Sequence, residues 1–204
     1  MKKFLRDIFI ATVSYTGLSA SYRKRVRKNG PLVRVLVFHD VQNAKWFRES
    51  IEFIAEKYHV VSPEDFRLQR FDAAKINVLI TFDDGYASWV ETCLPVLEDE
   101  NVHALFFINS GLIDVYGNDE KQGHYVRERL MLSSRVTLSW EGVKRLSDTG
   151  HTIGGHTVFH SRLAIFHGDM QKKEIQEDKA RIETILGKSV TMFAYPFGQS
   201  GDYT

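Results

Sequence analysis

The chain has 204 residues, 43% of them hydrophobic and 26% charged, a balance that suits one globular α/β domain with a full core. Its 27 Lys and Arg nearly cancel its 26 Asp and Glu, so no global field points to nucleic acid or an acidic partner. The single cysteine, Cys93, excludes an internal disulfide and a cysteine-based zinc site, and its helical spacing with Val90, Leu94 and Leu97 predicts burial.

Two opposed signals meet at the N-terminus. Met1-Lys2-Lys3 followed by Ile8-Phe9-Ile10-Ala11-Thr12-Val13 has the outline of a secretory leader, but Arg6 and Asp7 interrupt it and the apolar run is too short to span a bilayer. Arg23, Lys24, Arg25, Arg27 and Lys28 disfavour export and favour an anionic membrane surface. Residues 1–31 are therefore read as a basic segment, helical or membrane-peripheral, with the protein cytoplasmic or at the membrane face and an exported form as the alternative. Asn29-Gly30-Pro31 punctuates its end, and a compact domain is expected over residues 32–204.

Within that domain, Val33 to Phe38 reads as a strand, and Phe47, Ile51, Ile54 and Tyr58 recur at helical spacing. Val60-Val61 is a short strand, and Ser62-Pro63-Glu64 has the form of an N-cap and first helical turn. A strand is expected over Ile76 to Phe82, a helix over Tyr86 to Asp99, and a strand over Val102 to Ile108. Asp114 to Val136 is polar and glycine-punctuated and reads as a long surface loop, a type that often carries function. Ser139-Trp140-Glu141 starts a helix that stops at Gly150, and His151-Thr152-Ile153 leads as a short strand into Gly154-Gly155-His156. A helix from Asp169 to Leu186 is closed by Gly187, and Val190 to Ala194 is the last strand. The alternation predicts a mostly parallel sheet wrapped by helices, which at Thr204 stops short of a closed barrel.

Asp83 and Asp84 end the most apolar strand, and such exits are where clefts open in α/β folds. Adjacent carboxylates repel unless something positive neutralises them. His156 and His160, four apart, would share one face of a helical turn and could close on the same cation. One carboxylate with two imidazoles leaves coordination positions open, as catalytic sites do, and frees the other carboxylate to act as a base. The glycines before His156 would allow backbone and ligand to approach closely. His39 and Tyr195-Pro196-Phe197-Gly198 also follow predicted strands, whereas His59, His103, His124, His151 and His167 do not and receive no role. Trp46, Trp89 and Trp140 sit in helical patterns and are read as packing.

Thr81-Phe82-Asp83-Asp84-Gly85, His156-Thr157-Val158-Phe159-His160 and Tyr195-Pro196-Phe197-Gly198 resemble the first three motifs of the polysaccharide deacetylases, carbohydrate esterase family four. Ala104-Leu105-Phe106-Phe107-Ile108 and the stretch from Leu138 to Gly154 are similar to that family's connecting phrases. The resemblance implies a distorted (β/α) barrel, here apparently incomplete at its C-terminus, and metal-dependent removal of acetyl groups from N-acetylated sugars. Two departures stand out: Ala194 occupies the position where the third motif often has arginine, and the C-terminal motif with the acid histidine is absent. Phe38-His39-Asp40-Val41 resembles the permuted branch that includes the poly-N-acetylglucosamine deacetylases, in which the acid sits on an N-terminal strand.

Through that resemblance, Asp84, His156 and His160 are expected to hold a divalent metal, with zinc suited to the ligands and cobalt, nickel or iron fitting nearly as well. Asp83 would be the general base, His39 the acid, and the Phe197 backbone N–H an oxyanion donor, with Thr157 fixing the loop between the histidines. The partner implied is an N-acetylated oligosaccharide or polysaccharide of a cell surface or exopolysaccharide, with no nucleic acid and with peripheral membrane contact through the N-terminal segment. The competing readings are a non-catalytic glycan-binding relative and an O-acetyl esterase using the same residues.

Overall fold

The computed structural model of the chain describes residues 30–132, 135–198 and 201–202. The expectations for the basic segment fall almost entirely outside that range. No helix among the described residues is long and apolar enough to cross a membrane.

Five strands, β1 (Leu32–Phe38), β2 (His59–Val60), β3 (Ile76–Asp84), β4 (Leu105–Ile108) and β5 (Thr152–Gly155), form one wholly parallel sheet. β3 is its axis: β1 pairs along one edge, while β2 and then β4 pair along the other, and β5 follows β4. Such central strands are covered on both faces, and β3 is buried from Asn77 to Phe82. The register aligns Phe38 with Phe82 and Phe82 with Phe106. Their rings stack at 5.3 and 4.6 Å, with Trp89 5.1 Å from Phe106, so an aromatic layer runs across three strands. His39 and Asp83 are the next residues on their strands and emerge at one height above this layer.

Helices cover the face bearing Val78, Ile80 and Phe82. The helices are α1 (Ala44–Lys57), α2 (Pro63–Arg67), α3 (Leu94–Asp99), α4 (Ser110–Asp114), α5 (Asp119–Glu128), α6 (Trp140–Asp148) and α7 (Asp169–Leu186); α1, α3, α6 and α7 supply most of that packing, whereas Phe66 of α2 packs on the other face. Their ends follow local chemistry. Asn43, Ser62 and Ser139 accept a backbone N–H of the first turn, and Gly187 closes α7 at φ +64°. The opposite face carries a smaller cluster of Val61, Leu79, Leu105 and Phe107. Val35 and Val37 of β1, aligned with Leu79 and Thr81 on that face, remain 47% and 50% exposed, so among the described residues the sheet is open at β1.

Several expectations need correction. The helix expected from Tyr86 begins as a wide π turn, Trp89–Cys93, in which the Leu94 N–H reaches back to Trp89 O. Pro95, just inside α3, has no N–H to close an ordinary turn. Cys93 is fully buried, and burial pushes its thiol pKa well up. The expected strand at Val102 starts only at Leu105, and Val190–Ala194 forms a single bridge between Gly155 and Phe193 rather than a strand. The polar stretch expected as a loop contains α5, because Tyr125 and Val126 find a small cluster with Leu112 to pack into. Trp46 is 52% exposed, edge-on to Phe38, rather than packed inside.

His151, without a role in the motifs, is buried beneath α6. Its Nδ1 accepts the Ala104 N–H at 3.1 Å, and its ring stands edge-on to Phe106. Burial, helped by neighbouring His103, lowers its pKa to about 4. The unfolded chain then binds the proton first, so the stability of the neutral ring is full above about pH 6.5 and is lost as pH falls through about 4. In urea unfolding, the stability gap between the wild type and His151→Gln should narrow by on the order of 2–3 kcal/mol from about pH 7 to about pH 4. A gap independent of pH would contradict this.

Candidate functional site

The strand exits converge as the motifs suggested. Asp84 ends β3, His156 follows β5 directly, His39 follows β1, and Phe197 follows the segment bridged to Gly155. One ligand atom each from Asp84, His156 and His160 lies within 4.8 Å of the others. Asp84 Oδ1 stands 3.6 Å from His156 Nε2 and 3.4 Å from His160 Nε2.

The two histidines reach this point by a route the spacing did not foretell. Residues 156–160 are not helical, and Thr157 and His160 have φ +68° and +50°. This left-handed backbone is rare for side chains other than glycine and persists only where neighbours enforce it. Asn109 Nδ2 donates to the carbonyls of His156 and Thr157, and Thr157 Oγ1 accepts the Ser161 N–H at 2.9 Å. Thr157 therefore does tie the loop. The glycines before His156 serve a different purpose from the one expected. A Cβ on Gly154 would meet the Phe107 ring at 2.6 Å, and one on Gly155 would meet Asp178 Oδ2 at 2.9 Å. Their absence of side chain admits protein neighbours, not ligand.

Each imidazole is oriented from behind. His156 Nδ1 pairs with Ala194 O at 2.9 Å and His160 Nδ1 with Arg129 O at 3.1 Å. A carbonyl takes only an N–H, so the lone pair of each ring lies on Nε2, toward Asp84. Burial lowers His156 to about 4 and also lowers His160, which keeps both rings neutral near pH 7. Asp84 Oδ2 accepts from Tyr86 Oη at 2.7 Å, while the buried Oδ1 has no hydrogen-bond donor. Two neutral nitrogens and one orphaned carboxylate oxygen are a donor set that fits a divalent cation with tetrahedral preference. Asp83 is largely buried beside it, and desolvation, then the Asp84 charge, push its pKa up to about 7.

A cleft of ≈ 520 Å³ opens over this set, lined by His39, Asp84, Tyr86, His160 and Phe197, with Leu130 to Leu132 and Arg135 forming the far wall. The Phe197 ring lies edge-on to His160 at 4.7 Å, and the Arg162 guanidinium covers its other side at 4.3 Å. His39 is exposed in the cleft, its carbonyl held by Trp89 Nε1 at 2.9 Å. Asp40 next to it accepts from Ser88 Oγ at 2.8 Å and pairs with Arg135 at 2.8 Å, joining the first strand's exit to the far wall.

The motifs did not reveal Tyr86, Asn109, Arg135 or Asp178. Asp178 had a legible signal: with Ile175 and Ile182 it falls on one face of α7, and an acid in an apolar helical stripe is a buried group with a task. It accepts the Ser110 N–H and the His156 N–H, each at 2.9 Å. Burial raises its pKa to about 6.

A model of the polysaccharide deacetylase family matches residues 72–204. The peptidoglycan-N-acetylmuramic acid deacetylase PdaA of Bacillus subtilis (strain 168) is 27% identical over 120 residues, covering 58% of this chain and 37% of its own length. The chain spans between 37% and 58% of the length of the curated relatives it matches. The Streptococcus pyogenes deacetylase PplD, solved with acetate, superposes with a TM-score of 0.65 at 19% identity, over 83% of this chain and 74% of that one. IcaB from Ammonifex degensii does so at 0.61 and 24% identity, over 85% and 78%. The fold is thus the parallel α/β fold of solved deacetylases.

Asp178→Ala would leave two buried backbone N–H groups without an acceptor, which should cost roughly 2–5 kcal/mol in urea unfolding. Asp178→Asn, which keeps one acceptor oxygen, should lose less. Equal stability of all three proteins would show that these bonds contribute nothing.

Proposed function

Because the chain belongs to the polysaccharide deacetylase family, we propose that it is a metal-dependent hydrolase that removes N-acetyl groups from a surface polysaccharide or exopolysaccharide. The observation that carries this reading is the orphaned Asp84 oxygen facing two lone-pair nitrogens, with a second, desolvated carboxylate beside it. Asp84, His156 and His160 would hold the cation, whose chemistry is to polarise the acetyl carbonyl and acidify water.

The remaining steps belong to groups in and beside the cleft. Asp83, held proton-hungry by desolvation, takes a proton from the attacking water as general base. The developing oxyanion is met by the Phe197 backbone N–H, aimed by the turn at Tyr195-Pro196-Phe197-Gly198, where Phe197 has φ +67°. His39, which lines the cleft, gives a proton to the departing amine, so that acetate and a free amino sugar leave. Tyr86 holds the far oxygen of Asp84 and keeps its partner oxygen turned toward the histidines. The site of His39, at the exit of the first strand, supports the permuted branch and with it an exopolysaccharide substrate. Acetate release from chitohexaose or a poly-N-acetylglucosamine fragment, compared with release from acetylated xylan, separates this reading from an O-acetyl esterase and from a non-catalytic glycan binder.

Two variants test the assignment. Asp83→Asn should retain zinc, measured by calorimetric titration of the apo-protein, yet lose about 10²–10⁴-fold in turnover, the usual worth of a general base. His160→Ala should lose zinc and turnover together. Loss of zinc by Asp83→Asn would make that residue a ligand instead.

His39→Ala should spare zinc binding but slow amide hydrolysis far more than hydrolysis of 4-nitrophenyl acetate, whose leaving group needs no proton. Equal slowing of both substrates would remove His39 from the acid role.

A further inference from the structure

Arg129 and Phe159 line a second cavity, of ≈ 560 Å³, while the residues that follow them, Leu130 and His160, line the cleft over the candidate metal centre. The bond between Arg129 O and His160 Nδ1 ties these two chain segments into one shared wall. The cavity is otherwise built from the stretch leading into α5 and from α5 itself, with Asn118, Lys121, His124, Tyr125 and Arg127 around it.

Three properties distinguish it from ordinary solvated surface. First, Lys121, His124, Arg127 and Arg129 face it against the single acid Glu120. Among the described residues, Lys121, Arg127 and Arg129 make no ion pair, whereas nearby Asp114 is taken by Arg181 at 2.6 Å and Trp140 Nε1 at 2.9 Å. Glu174, behind Phe159, accepts that residue's N–H at 3.1 Å. Second, Phe159 is 45% exposed and tilted at 39° to the buried Tyr125 ring, with the Arg129 guanidinium 5.9 Å from its centroid. Third, Gly123 sits inside α5, where glycine costs about 1 kcal/mol relative to alanine. A Cβ there would lie 3.2 Å from Arg127 Nη1, so the glycine lets that guanidinium fold back along the helix.

We propose that this cavity is a subsite for an anionic sugar of the glycan chain whose acetyl group enters the neighbouring cleft. Phe159 offers its ring to the apolar face of a pyranose, and Lys121, Arg127 and Arg129 receive a carboxylate or phosphate substituent. The whole-chain balance of 27 basic and 26 acidic residues hides this local separation of charge. The proposal rests on reading the chain as a glycan deacetylase, but its test requires no turnover.

The full chain would be titrated calorimetrically at low salt with hexagalacturonate, with phosphorylated mannopentaose and with neutral chitohexaose. Neither anionic probe carries an acetyl group. In K121A/R127A the Kd for the preferred anionic probe should rise roughly tenfold, the combined loss of two partly exposed ion pairs. It should stay unchanged in the charge-matched control K172A/K173A on α7. Chitohexaose should bind all three proteins alike, and the stronger of the two anionic probes identifies the substituent. Failure of both anionic probes to bind the wild type, or equal weakening in the control, would overturn the subsite. Acetate release from chitohexaose is scored separately: its absence alongside intact anion binding counts against the deacetylase reading and leaves an anionic-glycan site without its role beside the acetyl group.

Discussion

Asp84 Oδ1, His156 Nε2 and His160 Nε2 are three electron-rich atoms within a few ångströms of one another, and the hydrogen-bond pattern supplies no proton between them. Protonating an imidazole would relieve the repulsion, but burial opposes that by lowering both histidines. Turning a ring over would break its bond to a backbone carbonyl. A cation would relieve that repulsion, and the surrounding structure holds the three groups in place for one. Tyr86 fixes one side of the carboxylate, Asn109 fixes the histidine loop, and Asp178 reaches from α7 to hold the His156 backbone.

Backbone strain gathers at the same place. Asp84, Met131, Thr157, His160 and Phe197 all combine a positive φ with a position in the cleft or in the loop that forms it, and among the described non-glycine residues only Gln69 and Asn101 share that conformation elsewhere. Each such residue costs on the order of 1–2 kcal/mol and needs surroundings that over-determine it. The aromatic layer of Phe38, Phe82, Phe106 and Trp89, one residue below the rim, provides that rigidity. Gly85 completes the turn after Asp84: at φ +125° another residue would be strained there, and its Cβ would lie 2.8 Å from the end of the Ile113 side chain, which would have to turn aside.

What could be read from the sequence was set by local signals strong enough to survive packing. Asn43, Ser62, Ser139 and Gly187 fix helix ends through bonds made within a few residues, and the apolar run before Asp83 could only be a central strand. Convergence of Asp84, His156 and His160 was legible because strand exits of a parallel sheet share one rim. The geometry that achieves it was not. A spacing of four suggests a helical turn, whereas the loop is held open by Asn109, forty-seven residues away. Likewise α5 has a weak apolar pattern, and only the pocket between Leu112 and Val126 makes its burial worthwhile. Asp178 announced itself by helical phase, but its partners lie on two other elements and no local pattern names them.

The division between these parts has a functional logic. The groups assigned to chemistry stand on strand ends above a stacked aromatic layer, where small displacements are resisted and the distances that catalysis needs can be kept. The wall from Val115 to Leu132 is built on α5, a short helix in which Tyr125 and Val126 are buried, and together with Phe159 and His160 it borders both cavities. On the proposed reading, changes there would bear on which sugar is accepted, and they reach the rim through Arg129 O on His160, Tyr125 Oη on Val158 O and Arg135 on Asp40. Two of these links are accepted or made by backbone carbonyls, Arg129 O and Val158 O, so Lys121 and Arg127 can vary in that wall without removing a bond that holds the histidine loop.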